Sequence, residues 1–154
     1  MAAVKRLWIC FFLIMFASEC YAAGTAIFTA EQPRGTTRWK LTWVVTSDAD
    51  GNVSAPTTTG TGYDSAYYGT IQKVMVTPAA DALQPSADFD VDILTNKSVS
   101  VDIAQTLLTD CSNSIPTIIS VYDGFLYPLS GEVITPSVSG MGDSNSATIE
   151  VWIQ

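Results

Sequence analysis

The chain has 154 residues, of which 47% are apolar and 14% charged, enough apolar residue to core one domain. Its formal net charge of -8 opposes binding to the phosphate backbones of nucleic acids and to anionic membrane surfaces. The chain has no histidine, which excludes Ser-His-Asp and Cys-His nucleophile systems and removes the commonest zinc ligand.

Residues 1–22 follow the pattern of a secretory signal peptide. Lys5 and Arg6 make a basic start, Leu7 to Ala17 an apolar core, and Cys20 and Ala22 suit the small positions before a cleavage site. The apolar run is shorter than the roughly 20 residues needed to span a bilayer. The expected mature domain is residues 23–154, with no stable membrane insertion after cleavage. Cleavage removes Cys10 and Cys20 and leaves Cys111 alone, so no internal disulfide is expected. A lone cysteine is usually a small buried hydrophobe; an intermolecular disulfide is the alternative.

RWKLTWVVTS, Arg38 to Ser47, is the first strong strand. Trp39, Leu41, Trp43 and Val45 share one face, at period two. Asp48-Ala49-Asp50-Gly51 predicts a turn, with Asp folding back onto the backbone and Gly accepting positive φ. Asn52 to Thr58 is expected to return as a polar strand at an edge. A Thr/Gly/Tyr connector leads into a strand from Gly69 to Pro78, which Pro78 stops. Ala79 to Ala87 is a loop.

DFDVDIL, Asp88 to Leu94, points Phe89, Val91 and Ile93 inward, and SVSVDIA, Ser98 to Ala104, does the same with Val99, Val101 and Ile103. Opposed residues share a face. A three-residue loop, Thr95-Asn96-Lys97, would pair Ile93 with Val99 and Asp90 with Asp102. Gln105 to Cys111 fits one helical turn or a loop. IPTIISVYDGFLYPLSG predicts a hairpin about Asp123-Gly124, and GEVITPSVSG a short strand broken by Pro136. ATIEVWIQ closes the chain with Ile149, Val151 and Ile153 inward and Trp152 outward. About eight strands and no helix predict a single all-β domain, an antiparallel β-sandwich of immunoglobulin-like or jelly-roll-like type. A small barrel is the rival.

Candidate sites are few. The expected register gathers Asp88, Asp90, Asp92 and Asp102 on the solvent face. Such a cluster either binds a hard cation such as Ca2+ or is a solvated acidic face that resists edge pairing, and the second is the simpler reading. Asp48 to Asn52 resembles only the start of a calcium loop and lacks the distal glutamate. No phosphate-binding glycine loop or spaced carboxylate pair marks an active site. No enzyme activity, metal or cofactor is therefore expected. Tyr63, Tyr67 and Tyr68 in the connector, with Trp152 on the last strand, are the candidate partner contacts, because such side chains join large area to a polar tip.

KLTWVVTSDADGNVS, then GTIQKVMVTP and DFDVDIL, resemble small bacteriophage virion structural proteins. Those proteins tend to carry a W-x-x-TSDA-x-GNVS segment, a strand ending at proline, a D-x-x-DV-x-(I/L) strand and a closing apolar strand. The match runs from Lys40 to about Asp102, with a weaker echo at Ala147 to Ile153; Gln105 to Ser146 departs from the pattern. The resemblance implies a non-enzymatic head-decoration or tail-associated component, set in symmetric copies and working through contacts with itself or other virion proteins. The leader and the tyrosine-rich connector support an alternative, an exported adhesin-like or carbohydrate-binding module. The expected location is the virion, or the periplasm or exterior by way of the signal peptide.

Overall fold

The computed structural model describes residues 24–32, 34–53, 57–62, 64–96, 102–120 and 126–154. The signal-peptide segment 1–22, Tyr63, the Lys97 to Val101 part of the expected hairpin and the Asp123-Gly124 turn lie outside them.

The described residues form an open two-sheet sandwich. Its strands are β1 (Thr25–Glu31), β2 (Trp39–Thr46), β3 (Thr57–Thr59), β4 (Tyr67–Pro78), β5 (Asp90–Thr95), β6 (Thr117–Ser120), β7 (Tyr127–Glu132), β8 (Ile134–Ser139) and β9 (Ser146–Ile153). The larger sheet runs β3-β1-β2-β9-β4-β6, with β7 also on β4; the smaller is β5-β8. Pairing is antiparallel except between β1 and β3. The order is open-ended, so the barrel alternative does not hold. Helical structure among the described residues is limited to two short 3-10 turns, Asp81–Leu83 and Gln105–Leu108.

Period-two patterning explains the core. Leu41, Trp43 and Val45 of β2 and Ile149, Val151 and Ile153 of β9 are buried, as are Phe89, Val91 and Ile93 at β5. All join one apolar cluster with Ile134 and Val138 of β8, so the inner faces of both sheets share it. Phe28 of β1 packs on Trp43 with ring centroids 5.0 Å apart. Strand β1 was not foreseen. Its inward positions include the small Ala26 and Ala30, which weaken the apolar signal of an otherwise regular alternation.

The Asp48 turn forms as its residues dictate. Asp48 Oδ1 accepts the N–H groups of Asp50 at 3.0 Å and Asn52 at 2.8 Å, and Gly51 has φ +81°. A Cβ on Gly51 would stand 2.6 Å from the Gly142 nitrogen, so glycine is needed twice over. The polar segment beyond the turn does not return along β2. Both flanks of β2 are occupied, by β1 and β9. Val53 instead bridges Val138, and Thr57–Thr59 lies parallel to β1 at the sheet's edge.

Three other expectations are corrected. Strand β5 pairs with β8, in a register that places Val91 opposite Val138 and Ile93 opposite Pro136. Asp90 therefore faces Ser139, not Asp102. The chain does come back beside β5, but Asp102 opposes Leu94 and its Oδ1 accepts the N–H groups of Ile93 and Ala104, both at 3.0 Å. Pro136 does not break its strand, since β8 borders a two-stranded sheet, a place where a missing N–H is tolerated. Among the described residues, the strands on either side of Asp123-Gly124 pair with β4 and not with each other. Strands β6 and β7 lie end to end along the same edge of β4, β6 against Lys73 to Val76 and β7 against Tyr67 to Ile71.

Among the described residues, the buried hydroxyl of Thr95, Oγ1 at the end of β5, finds no hydrogen-bond partner. An unmatched buried polar group costs about 1–3 kcal/mol. Thr95→Val keeps the shape and removes that group. It should raise the urea midpoint at unchanged slope, by about 1 kcal/mol of stability.

Candidate functional site

The candidate contact residues fall into two separate concavities. The first, of about 540 Å3, sits where β1 ends and β2 and β4 begin, lined by Ala30, Trp39, Thr61, Gly62, Ser65, Ala66, Tyr67 and Tyr68. The second, of about 260 Å3, is lined by Arg38, Gln72, Lys73, Ser120, Trp152, Ile153 and Gln154.

Tyr67 and Tyr68 take opposite roles because successive strand residues point to opposite faces. Tyr67 is 6% exposed and belongs to the core. Its ring meets Trp39 edge-on at 5.9 Å, and its hydroxyl donates to the Gly62 carbonyl at 3.2 Å. Burial, and then the nearby Asp64 carboxylate, raise the pKa of that hydroxyl above its ordinary value. Tyr67 is thus mainly a packing residue that shows the groove one edge, which corrects its reading as an exposed contact. Tyr68 is 71% exposed. Its ring covers Gly131, where an added Cβ would come within 2.8 Å of the tyrosine oxygen. Tyr68 is therefore a propped aromatic surface on the groove's rim.

Trp152 points outward from β9, as the alternation requires, and is half-buried. Its neighbours across the strands are Lys40 on β2 and Lys73 on β4. Lys73 Nζ lies 4.4 Å and Lys40 Nζ 5.7 Å from the indole centroid, both within cation–π range. Lys40 also pairs with Glu150. Sequence reasoning missed Arg38, Trp39, Lys40 and Lys73. The outward phase of Lys40 and Trp152 was readable, but which strand stands beside which was not.

Among the described residues, no group of three or more His, Cys, Asp or Glu side chains could hold a metal ion. Asp48 and Asp102 turn carboxylate oxygens to backbone N–H groups, and Asp90 Oδ1 accepts that of Asp110 at 2.9 Å. Cys111 is buried, and its thiol donates to the Leu108 carbonyl at 3.2 Å. Burial pushes that thiol up to about 11; the Thr117 hydroxyl partly offsets the shift, and Asp90 and Asp110 add to it. A protonated, enclosed thiol is neither a nucleophile nor a ready disulfide partner.

Among the described residues, no helix is long and apolar enough to cross a membrane. No protein-family model, no curated protein and no solved structure matches the chain.

Iodoacetamide at pH 8 should leave Cys111 unmodified in the folded protein and alkylate it in urea, as peptide mass mapping will show. The raised thiol pKa also has a stability sign. Its contribution is present below the ordinary value of 9.0 and is lost as pH rises towards about 11.

Proposed function

We propose that the chain is a non-enzymatic contact protein, a structural component of a bacteriophage-type particle that works through protein–protein contacts. The virion is its place of action in this reading; export by way of the basic-apolar leader is the alternative. The observation that carries this reading is an exposed aliphatic pair on the outer face of the larger sheet. Ile27 and Val44 are cross-strand partners, yet they are 60% and 43% exposed. Such a pair stabilises the sheet only modestly when it stays in water, and a partner surface would bury it as well. The sequence resemblance supports the same reading, since its TSDA-x-GNVS segment is the turn that anchors β2.

A second reading, a carbohydrate-binding module, is favoured by the groove beside Tyr68. Its size falls within the range of small-ligand sites, and Trp39, Tyr67 and Tyr68 join apolar ring surface to the hydroxyls of Thr61 and Ser65.

Mass spectrometry of purified particles should detect peptides from residues 23–154; particles that lack them would overturn the structural reading. On a glycan array, the second reading expects binding that Tyr68→Ala weakens about tenfold, the loss of one ring contact. Equal binding by the variant, or none by either protein, would remove it.

A further inference from the structure

The outer face of the larger sheet gathers basic residues around Trp152, and that of the smaller sheet gathers acidic ones. Beyond the leader the basic residues are Arg34, Arg38, Lys40, Lys73 and Lys97. Three of the five gather around Trp152. Lys40 and Lys73 flank the indole, and Arg38 lines the same concavity as Lys73. The cross-strand row across the larger sheet reads Glu31, Lys40, Trp152, Lys73, Ser120. Lys40 is paired with Glu150, but among the described residues no carboxylate lies within ion-pair distance of Lys73 or Arg38.

The smaller sheet is the reverse. From Val74 to Gln154 the sequence holds one basic residue, Lys97. Asp92 is exposed on the outer face of β5, Asp90 is half-buried beside it, and Asp88 precedes them in an exposed turn. Their cross-strand neighbours on β8 are Ser137 and Ser139, which supply no positive charge.

We infer that a second copy of this chain docks its Asp88–Asp90–Asp92 edge into the Arg38–Lys73–Trp152 concavity. Charge complementarity selects this occupant. Two copies of net charge -8 repel in most orientations, which favours the one that brings the cationic face of one copy to the acidic face of the next. Arg and Trp at the receiving side are residue types enriched at interfaces. Because each copy receives on one sheet and gives from the other, the contact is heterologous. It repeats as a ring if the rotation closes and as a filament if it does not. The inference rests on the contact-protein reading for its biological setting and names the partner for that reading.

Sedimentation velocity of the purified protein tests it. Association should be present in about 20 mM salt and lost in about 500 mM, where screening is effective within a few ångströms. Lys73→Glu and Asp92→Lys should each weaken association about tenfold or more, since each places like charges across the contact. An equimolar mixture of the two variants should associate again, because every contact between unlike copies joins opposite charges. Circular dichroism melting of each variant separates a lost contact from a lost fold, and Asp92→Lys stands alone if Lys73→Glu unfolds. A wild-type protein that stays monomeric in low salt would overturn the inference, as would variants that associate unchanged or a mixture that stays dissociated. These outcomes are independent of the particle analysis, which bears on the reading beneath.

Discussion

The ladder between β2 and β9 is the constraint on which the larger sheet depends. It runs in unbroken register from Trp39 opposite Ile153 to Thr46 opposite Ser146. Strand β1 is attached to β2, and β4 lies on the far flank of β9 with β6 and β7 beyond it. Without β9 the sheet separates into two parts that share no hydrogen bonds. The two strands are far apart in sequence, so closing this ladder is the entropically demanding step of folding. What offsets that entropy is burial of Leu41, Trp43 and Val45 beside Val151, Ile149 and Ala147.

The same ladder sets the chemistry of the opposite face. Every inward pair it makes implies an outward pair next to it. Lys40 must then stand beside Trp152, and Thr42 beside Glu150. On the other flank of β9, β4 carries a register shift between Ile71 and Lys73. The shift lets Ile71 and Val74, three residues apart, both face inward, and it brings Lys73 round to Trp152. A core requirement thus places a lysine on each side of one indole.

Faces were legible in the sequence, and neighbours were not. Alternation in β2, β5 and β9 identified the buried side chains because a period of two maps directly onto the two sides of a sheet. It carries no information about which strand lies alongside. The inward phase of Val91 and Ile93 was read correctly, but their partner proved to be β8, about forty residues further on, in place of the adjacent segment. The candidate contacts divide the same way. Trp152 could be placed outward from its own strand, whereas its lysine neighbours depended on pairings between distant segments. Tyr67 and Tyr68 held an unused signal: two consecutive residues on a strand cannot both face solvent when one side is core. Tyr63 lies outside the described residues.

The collinear arrangement of β6 and β7 bears on how the chain can vary. Ser120 opposes Lys73 and Tyr127 opposes Ile71, so one residue of β4, Gln72, separates the two ladders on this edge. Each flanking strand holds its own register on β4, independent of the span between them. Added or deleted residues in that span leave the β6 and β7 pairings as separate ladders on β4. The edge is therefore a mounting point where foreign peptide could be grafted between two fixed anchors, or where related chains could diverge in length while keeping one core.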